Sequence, residues 1–285
     1  MTVLKNKIDF ELLVSVKRAN PNGDPLSGNC PRTDYKGFGE ISDVCIKRKI
    51  RNRMQDLGNR VFVQSEDRAD DGYKSLSERA SGTLAKIKDK DEYAKTACET
   101  WIDVRSFGQV FAFKSKEKGG GVSVGVRGPV SIHQAVSVDP VEIQTMQITK
   151  SVNSETVEGK EGKGSDTMGR KQLVRFGLYV IKGSINVQLA EKTGFTDADA
   201  ETLKQCLISL FENDASSARP DGSMEVCKLY WWKHNCKEGQ YSSAKVHRLV
   251  KVALKNGVDF GNGFEDYEIN IDSLDGLALE IYEGK

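Results

Sequence analysis

Histidine is scarce in this sequence: three in 285 residues, at 133, 234 and 247. None stands beside a cysteine or serine in an arrangement that activates a nucleophile. The six cysteines, at 30, 45, 98, 206, 227 and 236, include no Cys-x-x-Cys pair and share no ligand spacing with the histidines. No zinc site is therefore expected, and cysteines scattered in this way suit small, reduced, buried side chains. No stretch approaches the ~18 apolar residues that span a bilayer. The first residues, with Lys5 and Lys7 beside a short alternating run, lack the continuous apolar segment and cleavage site of a signal peptide, so the chain is expected to be cytoplasmic. A Gly-x-x-x-x-Gly-Lys-Ser/Thr loop is missing, and Gly-x-Gly at Gly37 and Gly119 lacks its third glycine, so neither nucleotide fingerprint is present. No cofactor is expected.

What is present is charge, unevenly spread. Charged residues make up 29% and hydrophobic ones 38%, which points to a folded chain with much exposed surface and long loops. The formal net charge of +1 conceals opposed segments. Residues 1–60 hold 12 Lys/Arg against 7 Asp/Glu, and residues 104–255 hold 22 against 16. Residues 61–103 are mildly acidic, and residues 256–285 carry 1 basic against 8 acidic side chains. Such a molecule can bind an anion on one face and a copy of itself elsewhere, although a merely solvated surface would look alike.

Residues 7–18 place Ile8, Phe10, Leu12, Val14 and Val16 at strand period, predicting a long strand buried mainly on one face. Residues 20–40 gather three of the six prolines and four glycines and read as an irregular loop. A helix is predicted at 43–57, with Ser42 as N-cap, Ile41 and Ile46 as a hydrophobic staple, and Ile46, Ile50, Met54 and Leu57 as its apolar stripe. Residues 65–103 read as helical, mixed in charge and exposed, broken at Gly72 and Gly82. Short apolar runs surround a Lys/Gly segment in 104–132, 138–148 is extended, and 149–172 is a long polar insertion or hairpin tip. Strand content returns at 173–189. A capping box at Thr196 and Asp199 opens a helix predicted to reach Asn213, and strands follow near 224–233, 248–254 and 267–272. This order gives an α+β fold: a ferredoxin-like, RRM-like sheet covered on one face by two helices, with long insertions, in one domain over 1–285.

Two features point to nucleic acid. The helix at 43–57 bears Lys47, Arg48, Lys49, Arg51 and Arg53 behind a glycine-rich loop, a pattern that can neutralise phosphates. Helical spacing puts Lys47 and Arg51 on one face, while Lys49 and Arg53 point elsewhere and serve the surface. The 149–172 segment supplies Lys150, Lys160, Lys163, Arg170 and Lys171, with Met146 and Met168 able to wedge between bases. Lys36-Gly37-Phe38-Gly39 matches only the first half of an RNA-recognition signature and reads as a turn. Arg105-Ser106-Phe107-Gly108 is a looser match that equally suits a strand entering a turn.

Six segments in order carry a family resemblance: Asn20-Pro21-Asn22-Gly23-Asp24-Pro25, the run Asp43 to Asn52, Asp103 to Gly108, Met146 to Val152, Thr167 to Lys171, and Phe176-Gly177-Leu178-Tyr179. Together they resemble the RAMP backbone subunit of type I CRISPR surveillance complexes (Cascade), most closely the type I-C branch. The resemblance implies a non-catalytic, hand-shaped subunit with a ferredoxin-like palm, copies of which stack head to tail along a guide RNA. It also implies a helical fingers region, placed here at 61–103, and a thumb hairpin at 144–172 that crosses the guide. Base pairing with a target DNA strand would read sequence, and other Cascade subunits would cap the filament. On that basis Lys47, Arg48 and Arg51 are expected to meet phosphates, and Ser106, Phe107 and Gly108 to allow close backbone approach. Thr149, Lys150 and Ser151, with Met168, Gly169, Arg170 and Lys171, would form the clamp. The acidic C-terminal stretch would meet a neighbouring copy or keep the outer surface soluble.

Two other readings stand beside this one. A RAMP-type endoribonuclease that processes precursor RNA would use Asp24 or Asp34 in the first loop. A structural protein could instead form filaments through its charged ends without nucleic acid.

Overall fold

The first apolar run folds into a long strand, β1 (Ile8–Ala19), in a computed structural model that describes residues 2–113, 122–149 and 168–285. Its even positions enter the main core as expected. Its odd positions are buried too: Asp9, Glu11, Leu13 and Ser15 face a second layer. The expectation of burial on one face is corrected here, because packing on both sides of the sheet cannot be read from one strand's period.

After β1 the chain is less irregular than its glycines and prolines predict. β2 (Gly23–Asp24) and β3 (Cys30–Pro31) form a small ladder, and β4 (Phe38–Ile41) joins the large sheet. Gly39 is required there, since a Cβ at this position would lie 2.2 Å from the Tyr179 hydroxyl. Helix α1 (Asp43–Asp56) follows, with the Ser42 hydroxyl accepting from the Cys45 amide at 3.2 Å. Ile46, Ile50 and Met54 are buried, whereas Leu57 lies beyond the helix and is exposed.

Helices α2 (Leu76–Leu84), α3 (Lys90–Thr100) and α4 (Ile102–Phe107) come next, then the hairpin β5 (Gly108–Phe113) and β6 (Val122–Arg127). These elements share a core of their own, in which Phe62 packs against Trp101 and Phe111 at centroid separations of 4.7 and 5.1 Å. Gly72 adopts φ +77° and marks a break, but Gly82 lies inside α2, where the Tyr73 ring occupies the space a Cβ would need.

The remaining elements are β7 (Val130–Ile132), β8 (Ala135–Pro140), β9 (Ile143–Thr149), β10 (Met168–Ile185), α5 (Val187–Thr193), α6 (Asp197–Ile208) and β11 (Met224–Lys233). They are followed by α7 (Ser243–Val246), β12 (Val250–Leu254), β13 (Tyr267–Ile271) and β14 (Ala278–Glu283). Both halves of the Thr196–Asp199 capping box form. The helix it opens stops at Ile208, short of the predicted Asn213, which takes a left-handed φ of +56°.

Among the described residues the large sheet has eight strands in antiparallel pairs, ordered β14-β11-β1-β10-β8-β4, with β7 and β9 also paired to β10. The result is a mixed α/β chain: one sheet face packs on α1 and α6, and the other on α7 and the β12–β13 ribbon. No helix among the described residues is long and apolar enough to cross a membrane.

Candidate nucleic-acid interface

β10 is long enough to serve two purposes. Its second half lies between β1 and the β7–β8 side of the sheet, and its first residues pair with β9 in an arm. The register runs from Met168 opposite Thr149 to Val174 opposite Ile143. Directly opposed residues share a face, so Met168, Arg170, Gln147 and Thr149 lie on one side and Gly169, Lys171, Met146 and Ile148 on the other. Met146, Ile148 and Met168 are exposed large apolar side chains. Gly169 gives Ile148 room, as a Cβ there would sit 3.3 Å from its Cγ1. Among the described residues no ion pair involves Arg170 or Lys171. The arm thus offers cations on both faces beside apolar side chains, a combination that suits a sugar–phosphate chain and its bases. Of the expected clamp, Thr149, Met168, Gly169, Arg170 and Lys171 come together here, while Lys150 and Ser151 lie outside the described residues.

Helix α1 treats its cations differently. Lys47 pairs with Asp43 at 2.9 Å, one turn back. Arg48 donates to the Val63 carbonyl at 2.7 Å and to Asn52. Arg51 donates through Nε to Asp103 at 2.9 Å, with its guanidinium 5.1 Å from the centre of the Phe107 ring. Asp103 is fully buried and also accepts from the amides of Phe62 at 2.7 Å and Val63 at 3.1 Å. Lys49, expected on the surface, is buried against Asp214, and burial pulls its pKa below the ordinary lysine value. Arg53 donates to the Ser209 hydroxyl at 2.8 Å. Sequence spacing alone does not show this: the partners Asp103 and Asp214 lie far along the chain and reach α1 only in the folded molecule.

The 106–108 segment is turned inward. Ser106 is buried and its hydroxyl has no hydrogen-bond partner among the described residues. Gly108, at φ +80°, caps α4, and a Cβ on it would lie 2.3 Å from the Val126 carbonyl oxygen. The close backbone approach expected at this glycine is made to the chain's own 126–128 segment.

In the first loop, Asp24 accepts from Ser27 Oγ at 2.9 Å and the Leu26 amide at 3.2 Å, and pairs with Arg32. The bond from Ser27 leads the causes that hold its carboxyl below the usual range. Asp34 accepts from the Lys36 and Phe38 amides at 2.8 and 2.9 Å. Both carboxylates therefore hold turns in the backbone. No group of three or more His, Cys, Asp or Glu able to hold a metal occurs among the described residues.

The sequence assigns no site role to Asn20, Asn29 or Ser217, which with Arg170 and Lys171 line a groove of about 430 Å³ at the root of the arm. Arg18, just before it, is an exposed non-glycine residue at φ +51°, a strained conformation that often marks functional segments.

The fold and the arm define a sheet scaffold from which a cationic two-stranded ribbon projects. The chain belongs to the family described as CRISPR-associated protein Cas7, which it matches over residues 6–272. A CRISPR-associated protein Cas7 of Haloferax volcanii is 26% identical over 266 residues, covering 88% of this chain and 76% of that protein. Among solved structures, a chain of a CRISPR RNA-guided surveillance complex in a pre-nicking state superposes with a TM-score of 0.52 at 16% identity, covering 89% of this chain and 84% of that one. The likeness to that structure is one of fold.

Proposed function

We propose that this protein coats a guide RNA as the repeated backbone subunit of a type I, I-C-like, Cascade surveillance complex. Copies stack head to tail in the cytoplasm, other Cascade subunits cap the stack, and the guide is held open for pairing with a target DNA strand. The observation that carries the proposal is the β9–β10 arm: exposed Met146, Ile148 and Met168 beside Arg170 and Lys171, which have no ion-pair partner among the described residues, in a chain of the Cas7 family. The arm corresponds to the thumb, and the α2–α4 helices with β5–β6 to the fingers. A ferredoxin-like palm is supported by the order β11-β1-β10-β8, with α1 and α6 on one face. Phosphate contact by α1 falls chiefly to Lys47, whose partner Asp43 is itself well exposed. Arg48 and Arg51 are committed to Val63 and Asp103 and would stiffen the helix.

The role is non-catalytic. Asp24 and Asp34, which a ribonuclease would need free, both bind backbone amides. The test is sizing chromatography of the protein with and without guide RNA across a salt series. The proposal predicts RNA-dependent growth into large particles that weaken steeply with salt and return intact RNA. Shortened RNA, dependent on Asp24 or Asp34, would establish the ribonuclease instead. Particles that form equally well without RNA would favour a purely structural filament.

A further inference from the structure

The three histidines are scattered along the sequence and meet in the fold around one buried carboxylate. His234 Nε2 is 2.8 Å from Asp9 Oδ2, and His247 Nε2 is 3.9 Å from Asp9 Oδ1. Asp9, His234 and His247 are all buried. The exposed His133 ring stands edge-on to that of His247, with centroids 5.6 Å apart. Hydrogen bonds fix the protonation of both buried rings. The Gln240 amide donates to His234 Nδ1 at 2.9 Å, so that nitrogen carries no proton and Nε2 donates to Asp9. His247 donates through Nε2 to the Gly183 carbonyl at 3.0 Å. Gln240 also centres its turn: its side chain accepts from the Asn235 amide at 3.0 Å and donates to the Gly276 carbonyl at 2.8 Å. Two lysines face the rings. Lys7 Nζ donates to Asp9 Oδ2 at 2.9 Å and to the Tyr241 carbonyl at 3.2 Å. Lys182 Nζ donates to the His247 carbonyl at 2.9 Å and lies 3.7 Å from Glu11. The one negative charge of Asp9 is therefore already matched by Lys7.

We propose that residues 234–247 form an acid-released latch: a solvent proton taken up at His234 Nδ1 displaces the Gln240 amide, and protonation of His247 lifts α7 from the sheet. Histidine is the side chain whose charge changes between about pH 5 and 8. Both nitrogens of a protonated imidazole donate, so His234 Nδ1–H would face the Gln240 N–H, donor against donor. A second positive charge on His247 would stand beside Lys182 and His133. Neither charge would find a free carboxylate, since Asp9 is held by Lys7, and a buried charge without a counter-ion is costly. Burial is the main cause that holds the His247 pKa below the ordinary histidine value, against the pull of the Gly183 carbonyl and Asp9. A histidine lowered in this way stabilises the closed form at high pH, and that stability is lost as pH falls below the open-form value. Glu11 titrates in the opposite sense: taking up its proton relieves the cost of burying it, so acid does not loosen the latch through Glu11. Release would uncover Tyr230 and Trp232, which pack with Val246 and Leu249. The inference is independent of RNA binding.

The test follows amide hydrogen–deuterium exchange of the full-length protein by mass spectrometry at about pH 7.5 and 5.5, values that bracket histidine titration, with labelling times scaled for intrinsic exchange. An open-form histidine titrating near 6.5 favours opening about tenfold one pH unit lower, when the closed form excludes the proton. A loss of protection of about that size is expected at the lower pH in peptides covering 235–247, with β1 and β10 peptides unchanged. His234→Asn keeps an oxygen to accept from the Gln240 amide and cannot be protonated. Combined with His247→Asn, it is expected to abolish the pH dependence. Proton NMR of the wild-type imidazole rings supplies a second readout that needs no variant: the His234 ring should become charged in step with the loss of protection. Equal wild-type protection at the two pH values would overturn the latch, as would a loss spread evenly over the sheet strands. So would pH dependence that persists in the double variant, or a His234 ring that stays neutral while protection falls.

Discussion

Helix α1 and the β9–β10 arm both carry Lys and Arg, and the fold puts them to different uses. On α1 the cationic heads are drawn inward: Lys49 to Asp214, Arg51 to Asp103, Arg48 to the Val63 carbonyl. These bonds tie the helix to the α2–α4 region and to the segment after α6, so charge there fixes the relative placement of distant parts of the chain. On the arm, Arg170 and Lys171 have no ion-pair partner among the described residues and stand beside exposed apolar side chains. The same residue types are structural where carboxylates and carbonyls converge on them, and available to a ligand where none of the described residues does. Cation density in a sequence is thus a poor guide to binding until the partners are known.

The contrast can be broken at its structural end by Asp103→Ala. That change strands Arg51 and leaves the Phe62 and Val63 amides without their acceptor. Loss of a buried ion-pair partner costs ~3–5 kcal/mol, and chemical denaturation should show a destabilisation of that size. The folded fraction should still bind RNA with wild-type affinity. An unchanged midpoint would mean that the α1 cations are not held as described.

Glu11 is an acidic group held by burial without a close partner. It is buried on the sheet face under α7 and the β12–β13 ribbon, its Oε2 accepts no hydrogen bond among the described residues, and Lys182 Nζ is 3.7 Å away. Burial pushes its pKa up to about 7, against the smaller opposing pull of Lys182. A carboxyl whose folded pKa is raised binds its proton more tightly in the native state. Its contribution to stability is therefore complete below the unfolded value near 4.5 and is lost as pH rises to about 7. Glu11→Gln, which cannot ionise, should stabilise the protein by ~2–3 kcal/mol at pH 8 and by little at pH 4.5, read from denaturation midpoints at the two pH values. A gain that did not depend on pH would show that Glu11 ionises freely.

At the binding end, Arg170→Ala combined with Lys171→Ala should leave stability within ~0.5 kcal/mol of wild type, as surface changes do. It should lower RNA affinity about tenfold at moderate salt and flatten the slope of log K against log salt by about 1.4, the value for two phosphates of a single strand. Loss of stability without a change in slope would place these cations with those of α1.

Much of this organisation is legible in local sequence, because local chemistry decides it. The alternation in β1, the Ser42 cap and Ile46–Ile50–Met54 stripe of α1, the Thr196–Asp199 capping box, and the extended segments that became β9 and β10 all depend on residues a few positions apart. The second buried face of β1, the burial of Lys49, and the recruitment of β4 into the sheet depend on partners tens to hundreds of residues away. The edge strand β14 and short helix α5 carry weak periodicity and were not expected. At the interface, the arm was legible from its composition. The groove was not, since Asn20, Ser217 and Lys171 converge only after β1, β10 and the turn before β11 are assembled.

The most direct measurement is photo-crosslinking of the protein to a guide RNA carrying 4-thiouridine, with the attached peptides mapped by mass spectrometry. The arm-binding scheme predicts crosslinks within 143–149 and 168–173, with few on 43–56. Crosslinks concentrated on α1 and absent from the arm would contradict it.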